Sequence, residues 1–357
     1  MSKEQNSKRK ILFRADGSAA IGLGHVIRSC ALADMLKEYF ECHFFIREPY
    51  DALQHEIKKS CEYIHTLPAS ASFTEEATYL ANQLSGEEIL VLDGYRFDTA
   101  YQWILATSNC KLVCIDDIHS YHFLADVVIN HAGGLTRNDY SVAPFTQLFL
   151  GPSYALLRKE FLQAAKHREE EKKDEIFISL GGGDINNDIL LVLKLLEEKQ
   201  VRSTCNIVLG SAYTHQDELN AFLHQSSLTA TITRNAAPEQ MVALMKRSKY
   251  AICAPSSVSF EYLSTGGELY LKQTADNQKD VLAFFLKQQL AFNIEEFGEI
   301  TDDGILVSAQ AQKHWFDGQS DYRFQKIFTR LSEELSLGIR SVNEADVNLY
   351  YEWANDP

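Results

Sequence analysis

Three short turns rich in glycine or serine carry most of the residues able to do chemistry. The first is ADGSAAIGLGHVIRSCALADML, which follows an apolar run. Gly22 and Gly24 permit a sharp turn and let the backbone approach a ligand closely. His25 then stands in the first turn of a helix. The positive helix end disfavours imidazolium, so His25 is expected to be neutral and able to accept a proton near pH 7, as a general base must. A helix-start histidine bonded to its own loop is the plainer alternative. GLGHVI is not a dinucleotide fingerprint, because His25 and Ile27 stand where that motif needs open space and a third glycine.

The second turn, SLGGGDINND, follows the strand-like run IFISL. The amides of Gly181, Gly182 and Gly183, at the head of a helix starting near Asn186, suit a phosphate oxygen. No Lys-Ser or Lys-Thr follows, so this is not a P-loop and implies no magnesium-bound triphosphate. A tight strand-to-helix turn would read the same way. In the third, CAPSSVSFEYLSTGG, Ser256 and Ser257 can cap the helix after Pro255 or meet a phosphate. Glu261 shares a helix face with Ser257 and Ser264, where a carboxylate can accept both hydroxyls of a ribose. A lone helical glutamate is otherwise simply solvated. Asp93, Asp116 and Asp117 end two apolar runs, at the crest where parallel sheets bind ligands. His119 and His122 lie close by, but Asp-Asp-x-His-x2-His matches no established ligand geometry. Local capping is the simpler reading and no metal is expected.

Positioning these turns requires parallel strands. Strand runs are expected at Ile11–Ala15, Cys42–Arg47, Ile89–Asp93, Leu112–Asp116 and Val127–Asn130. Val26, Cys30, Ala33 and Leu36 recur between them at helical spacing. After a charge-rich stretch over Arg158–Asp174, read as a solvated helix and hinge, a second series follows. Its strands are Ile176–Leu180, Thr204–Leu209, Thr229–Thr233, Tyr250–Cys253 and Leu269–Leu271. Its helices are Asn187–Glu198, His215–His224, Glu239–Arg247, Ser257–Ser264 and Gln278–Gln289. The pattern predicts an α/β protein of two Rossmann-like halves whose strand carboxyl ends face each other across a cleft. The expected domains are 1–155, carrying His25, and 156–337, binding nucleotide.

The chain has 357 residues and is 45% hydrophobic, enough for two real cores. Its formal charge of −15 makes nucleic acid and anionic membranes poor partners. A diphosphate would then be held by backbone amides rather than a lysine cluster. Seven cysteines without a CxxC pair read as buried thiols of a reducing cytosol. The polar, basic start MSKEQNSKRK lacks the apolar core of a secretory signal, and no run is long enough for a membrane span. A cytoplasmic location is expected.

Together the segments FRADGSAAIGLGHVIRSCALA, VLDGYRFD, CIDDIHSYHFLADVVINHAGGL, FLGPSYALLRKEF, SLGGGDINN, SSVSFEYLSTGG and ADNQ resemble one family over about residues 10–300. It is the UDP-2,4-diacetamido-2,4,6-trideoxy-β-L-altropyranose hydrolases of pseudaminic acid biosynthesis. A wider likeness is to nucleotide-sugar glycosyltransferases with two facing Rossmann-like domains. The resemblance implies a GT-B-like fold, a UDP-sugar in the cleft, and neither metal nor cofactor. It implies catalytic roles for His25 and Tyr95. It places Arg14, Asp16, Gly22, Gly24, Asp93, Gly181, Gly182, Gly183, Ser256, Ser257, Glu261, Asn277 and Gln278 among the substrate-binding residues. Two departures stand out: Gly94, where the family usually has His, and Gly267-Glu268, where it usually has Lys-Pro. The first bears on sugar contacts, and the second on the start of a strand or on the nucleotide pocket.

The implied reaction is attack by water on the anomeric C1–O bond, with His25 as base and inversion at C1. A glycosyltransferase using the same base, and a non-catalytic UDP-sugar-binding module, are the alternatives. Finally, IRSVNEADVNLYYEWANDP resembles the opening of a GNAT-type acetyltransferase over residues 338–357. This implies a covalently linked acetyltransferase in the native protein.

Overall fold

The computed structural model describes residues 8–18, 22–68, 72–168 and 171–337. The acetyltransferase-like segment 338–357 lies outside the described residues.

Among the described residues nine strands arise in the first half: β1 (Lys10–Ala15), β2 (Glu41–Arg47), β3 (Tyr63–Leu67), β4 (Ile89–Asp93), β5 (Lys111–Ile115), β6 (His122–Phe123), β7 (Val127–Asn130), β8 (Ser141–Val142) and β9 (Gln147–Leu150). Seven of them form one sheet in the order β3-β2-β1-β4-β5-β7-β9, while β6 and β8 make a separate pair. All its neighbours run parallel. The central strands β4, β5 and β7 are buried throughout, because helices cover both faces of a parallel sheet and leave no solvated side. The helix Gly24–Leu36 returns from β1 with ten of its residues buried, His25 among them.

The second half repeats the logic with β10 (Lys173–Ser179), β11 (Thr204–Leu209), β12 (Ala230–Arg234), β13 (Ser248–Cys253), β14 (Glu268–Leu271) and β15 (Phe292–Asn293). They pair in parallel in the order β12-β11-β10-β13-β14-β15. In both sheets the first strand is central and the chain winds outwards to either side, so each has a switch point at its carboxyl edge. The two edges face one another: His131, just after β7, meets the Phe260 ring at 4.5 Å, and the Gly133 backbone lies tight against Phe284.

Two connecting elements differ from expectation. The stretch read as a solvated helix forms a helix over Lys159–Lys166, but Phe161, Leu162 and Ala164 are buried. Its apolar face packs on the helices Ser257–Thr265, Pro238–Arg247 and Gly24–Leu36, so only the opposite face is solvated. The helix Ser320–Ser336 follows the second half in sequence but packs on Gly24–Leu36 of the first. Phe324, Ile327, Phe328 and Leu331 bury its inner face, and Glu334 pairs with Lys111 at the start of β5 at 2.9 Å. All seven cysteines are free and buried, and among the described residues no helix is long and apolar enough to cross a membrane.

Candidate active site

His25 is the second residue of its helix, and β1 beside β4 places it next to the end of β4. Its Nδ1 lies 2.7 Å from Asp93 Oδ1. Asp93 is 1% exposed, and it also accepts from Ser29 Oγ at 3.0 Å and from Arg28 Nη2 at 2.6 Å. Burial alone would raise the Asp93 carboxyl, but Arg28, and then His25, hold it below the usual carboxylate range. An ionised carboxylate only accepts hydrogen bonds, so the Nδ1 proton belongs on His25. Nε2 is left as the basic nitrogen, with no partner among the described residues.

The ring faces a cavity of about 270 Å³ lined by Asp16, Arg47, Phe73, Tyr95, Arg96 and Phe97. Tyr95 meets the imidazole edge-on, with ring centres 4.7 Å apart. Its hydroxyl accepts from Asn277 Nδ2 of the other half at 2.8 Å. Burial, and then Asp117, push the phenol up to about 12, so Tyr95 can donate a hydrogen bond to a ligand but is not a base at neutral pH.

A second buried network braces the far wall. Arg14 is fully enclosed; it holds both oxygens of Asp16 at 2.6 and 2.7 Å and both of Glu76 at 2.7 and 3.0 Å. Tyr101 donates to Glu76 at 2.7 Å, and Arg47 reaches the same carboxylate. Arg14 thus spends its guanidinium on Asp16 and Glu76 and braces Asp16 at the cavity wall. Asp93 likewise directs its oxygens to His25, Arg28 and Ser29 and lies at the lining of the same cavity. Asp116 spends its carboxylate on the amides of Ile118 and His119 and on the Tyr140 hydroxyl, the capping role weighed above.

On the opposite edge, the backbone of Gly181 has φ +101°, a conformation that L side chains rarely adopt. Among the described residues, a Cβ built at Gly181 or Gly182, or across the cleft at Gly22 or Gly24, would meet nothing within 4 Å. Gly183 is nearly as open, with the Ala212 methyl at 3.8 Å. This is the open backbone that a phosphate needs. Ser256 is the N-cap of the helix beginning at Ser257 and makes no side-chain cap bond there, which leaves its hydroxyl available. Glu261 departs from expectation: both oxygens are held by Arg158, at 2.7 and 2.9 Å, so a ribose would have to displace part of that pair. Gln278 departs too. Its Oε1 accepts from the amide of Thr274 at 2.9 Å, which shapes the turn that presents Asn277. Glu268 lies at the start of β14, away from the carboxyl edge, and Gly267 with φ +121° abuts the Tyr262 hydroxyl. The Gly267-Glu268 departure thus reshapes a strand start and not the ligand edge.

Arg28, Arg47 and Glu76 escaped the sequence reading, which named Asp117 only as a strand-end acid. A sequence signal for Arg28 did exist: two strand-end acids, Asp93 and Asp117, on neighbouring strands need a buried cation.

The class that this fold defines is GT-B-like: two facing Rossmann-like domains with parallel sheets. Acinetobacter baumannii MurG superposes with a TM-score of 0.58 over 90% of this chain and 99% of its own, at 11% identity. No protein-family profile matches the chain. Among individual proteins, the chain is 29% identical over 272 residues to the UDP-2,4-diacetamido-2,4,6-trideoxy-β-L-altropyranose hydrolase of Campylobacter jejuni, covering 71% of this chain and 88% of the relative. It is 25% identical over 304 residues to the spore coat polysaccharide biosynthesis protein SpsG of Bacillus subtilis, covering 82% and 85%. It is also 25% identical over 364 residues to an uncharacterised protein of Methanocaldococcus jannaschii, covering 98% and 73%.

Proposed function

We propose that this chain is a nucleotide-sugar hydrolase that converts UDP-2,4-diacetamido-2,4,6-trideoxy-β-L-altropyranose to UDP and the free sugar in pseudaminic acid biosynthesis. The observation that carries the reading is the His25–Asp93 pair, with Nε2 bare at a cavity on the ligand edge of the first sheet. The Campylobacter jejuni relative supports the choice of substrate.

In this mechanism His25 Nε2 takes a proton from water as the water attacks C1. Asp93 keeps the Nδ1 proton and stabilises the imidazolium formed. Diphosphate is a good leaving group, so no strong general acid is required. The amides of Gly181–Gly183 and the Ser256–Ser257 turn stabilise its growing charge. Attack from the face opposite the leaving group inverts C1. Tyr95 and Asn277, hydrogen-bonded to each other, together contact the sugar, and Asp16 and Arg47 line the same cavity. The cavity's aromatic wall of Phe73, Tyr95 and Phe97 suits a sugar carrying methyl and acetamido groups. The acetyltransferase-like sequence at 338–357 supports a covalently linked partner that acylates an amino sugar.

A time course of UDP release without any acceptor tests the reading. Stoichiometric release that stops in His25→Asn is expected. Release that appears only with an added acceptor would make the protein a glycosyltransferase, and tight UDP-sugar binding without turnover across a range of pH would make it a binding module.

A further inference from the structure

Arg28 lies one helical turn beyond His25, on the adjoining face of the same helix. Its guanidinium is nine-tenths buried and fully committed. Nε reaches Asp93 Oδ2 at 2.8 Å, Nη2 reaches Oδ1 at 2.6 Å, and Nη1 reaches Asp117 Oδ1 at 2.6 Å. The fork therefore ties the ends of β4 and β5 together and leaves Asp93 one orientation. In that orientation Oδ1 faces His25.

The same Nη2 stands 3.1 Å from His25 Nδ1. An arginine can only donate, and Nδ1 lies closer to Asp93 Oδ1, at 2.7 Å. Nδ1 thus keeps its proton for the carboxylate, and the Arg28 contact is a charge beside the ring rather than a hydrogen bond to it. A histidine paired with a carboxylate alone is driven towards imidazolium; a fixed cation beside the ring opposes that drive.

We propose that Arg28 is a positioning residue for the base: it locks Asp93 so that the proton of neutral His25 sits on Nδ1, and it places a permanent positive charge against the ring so that Nε2 stays free to accept. This inference rests on the reading of His25 as the base, and it goes further by naming the device that keeps the base unprotonated.

The other groups around His25 complete the balance. Asp93 comes from β4 and Tyr95 from the loop after it. Ser29 lies on its own helix and bonds Asp93. Asp117, after β5, anchors the far end of Arg28. Asp16, Arg47 and Arg96 line the shared cavity. His131 lies near Arg28 and Asp117, and burial, followed by Arg28, pushes it down to about 4, so it adds no charge at neutral pH.

The test is a titration of ¹⁵N-labelled imidazole by NMR, with the His25 signal assigned by its loss in His25→Asn, alongside the pH profile of kcat/KM. In Arg28→Gln the His25 titration and the acid limb should both move upwards by about one pH unit or more. In Arg28→Lys, which keeps the charge but loses the fork, the limb should stay within about half a unit while kcat falls roughly tenfold and KM holds. Because Arg28→Gln takes the cation from both buried carboxylates, leaving Asp93 with His25 and Ser29, Arg28→Gln with Asp117→Asn serves as a second variant that preserves the net charge of the cluster. It should still shift upwards, by less than Arg28→Gln alone, because the Asp117 charge is removed with the cation. An unchanged His25 titration in both Arg28→Gln backgrounds, or a neutral His25 carrying its proton on Nε2, would overturn the proposal. The NMR arm needs no turnover. If hydrolysis fails while the titration still moves, the function assigned above falls and the role of Arg28 stands.

Discussion

The two halves share a topology but equip their ligand edges in opposite ways. The first half lines its edge with buried charge. Arg28, Asp93 and Asp117 form one cluster, and Arg14, Asp16, Arg47 and Glu76 form another. The second half offers the open backbone of Gly181 and Gly182 and the Ser256–Ser257 turn, and the nearby cations Arg158 and Lys272 are each paired with a single acid, Glu261 and Asp188. Buried ion networks are costly to assemble but hold side chains in a single geometry. Open amides cost little and accept an anion without adding net charge. In the proposed reading the contrast gives chemistry to the first edge and the diphosphate to the second, where backbone amides rather than a lysine patch would meet the anion in a chain of net charge −15.

Substitutions can break this division of labour. The largest expected effect comes from His25→Asn, which should lower kcat by about 10²–10⁴-fold while UDP affinity, measured by calorimetry, holds. Asp93→Asn comes next. Without the carboxylate the tautomer is no longer imposed, and a loss on the order of 10²-fold or more in kcat is expected, again with little change in KM. Glu76→Gln tests the bracing network rather than the chemistry. It removes the carboxylate shared by Arg14, Arg47 and Tyr101, and denaturant unfolding should show a loss of about 3–5 kcal/mol. On the second edge, Gly181→Val should reverse the pattern by raising KM and weakening UDP binding, because φ +101° forbids a β-branched side chain. Asn277→Ala should have the smallest effect, roughly 1 kcal/mol in KM from the lost bond to Tyr95 and the sugar.

Acid stability follows from the same first-half cluster. Asp93, Asp117, Asp16 and Glu76 all sit below their ordinary values. For Asp93 and Asp117 the opposing charge is Arg28, and for Asp16 and Glu76 it is Arg14, in each case acting against burial. A depressed carboxyl stabilises the fold above its unfolded pKa and loses that contribution as pH falls through the folded one. Stability should thus drop steeply below pH about 4. Glu76→Gln should flatten the drop. Glu261 has the opposite sign, since burial raises it despite Arg158, so its cost is relieved on acidification.

The glycine- and serine-rich turns and the parallel strands were legible because a buried strand such as β4 is a continuous apolar run ending in a polar residue. Strand β3 was not, because YIHTL buries only Leu67 fully. Strand β9 sits at the sheet edge, has no fully buried residue, and escaped in the same way. The helix Ser320–Ser336 carries a clear period, but nothing local indicates that it crosses back to the first half. Within the site, His25 was visible from its turn. The roles of Arg28 and Glu76 were not, because each depends on partners distant in sequence: Asp93 lies 65 residues from Arg28, and Arg14 lies 62 from Glu76. Gly94 remains a departure in sequence; its backbone lies against the Phe97 ring, so a side chain there would crowd the cavity wall.

In the proposed reaction water attacks the anomeric carbon under the control of His25. Turnover of UDP-2,4-diacetamido-2,4,6-trideoxy-β-L-altropyranose in H₂¹⁸O, followed by mass spectrometry and by NMR of the first anomer released, tests it directly. The expected result is ¹⁸O on C1 of the free sugar, none in UDP, and an inverted anomer. Label in the β-phosphate of UDP, or retention at C1, would contradict it.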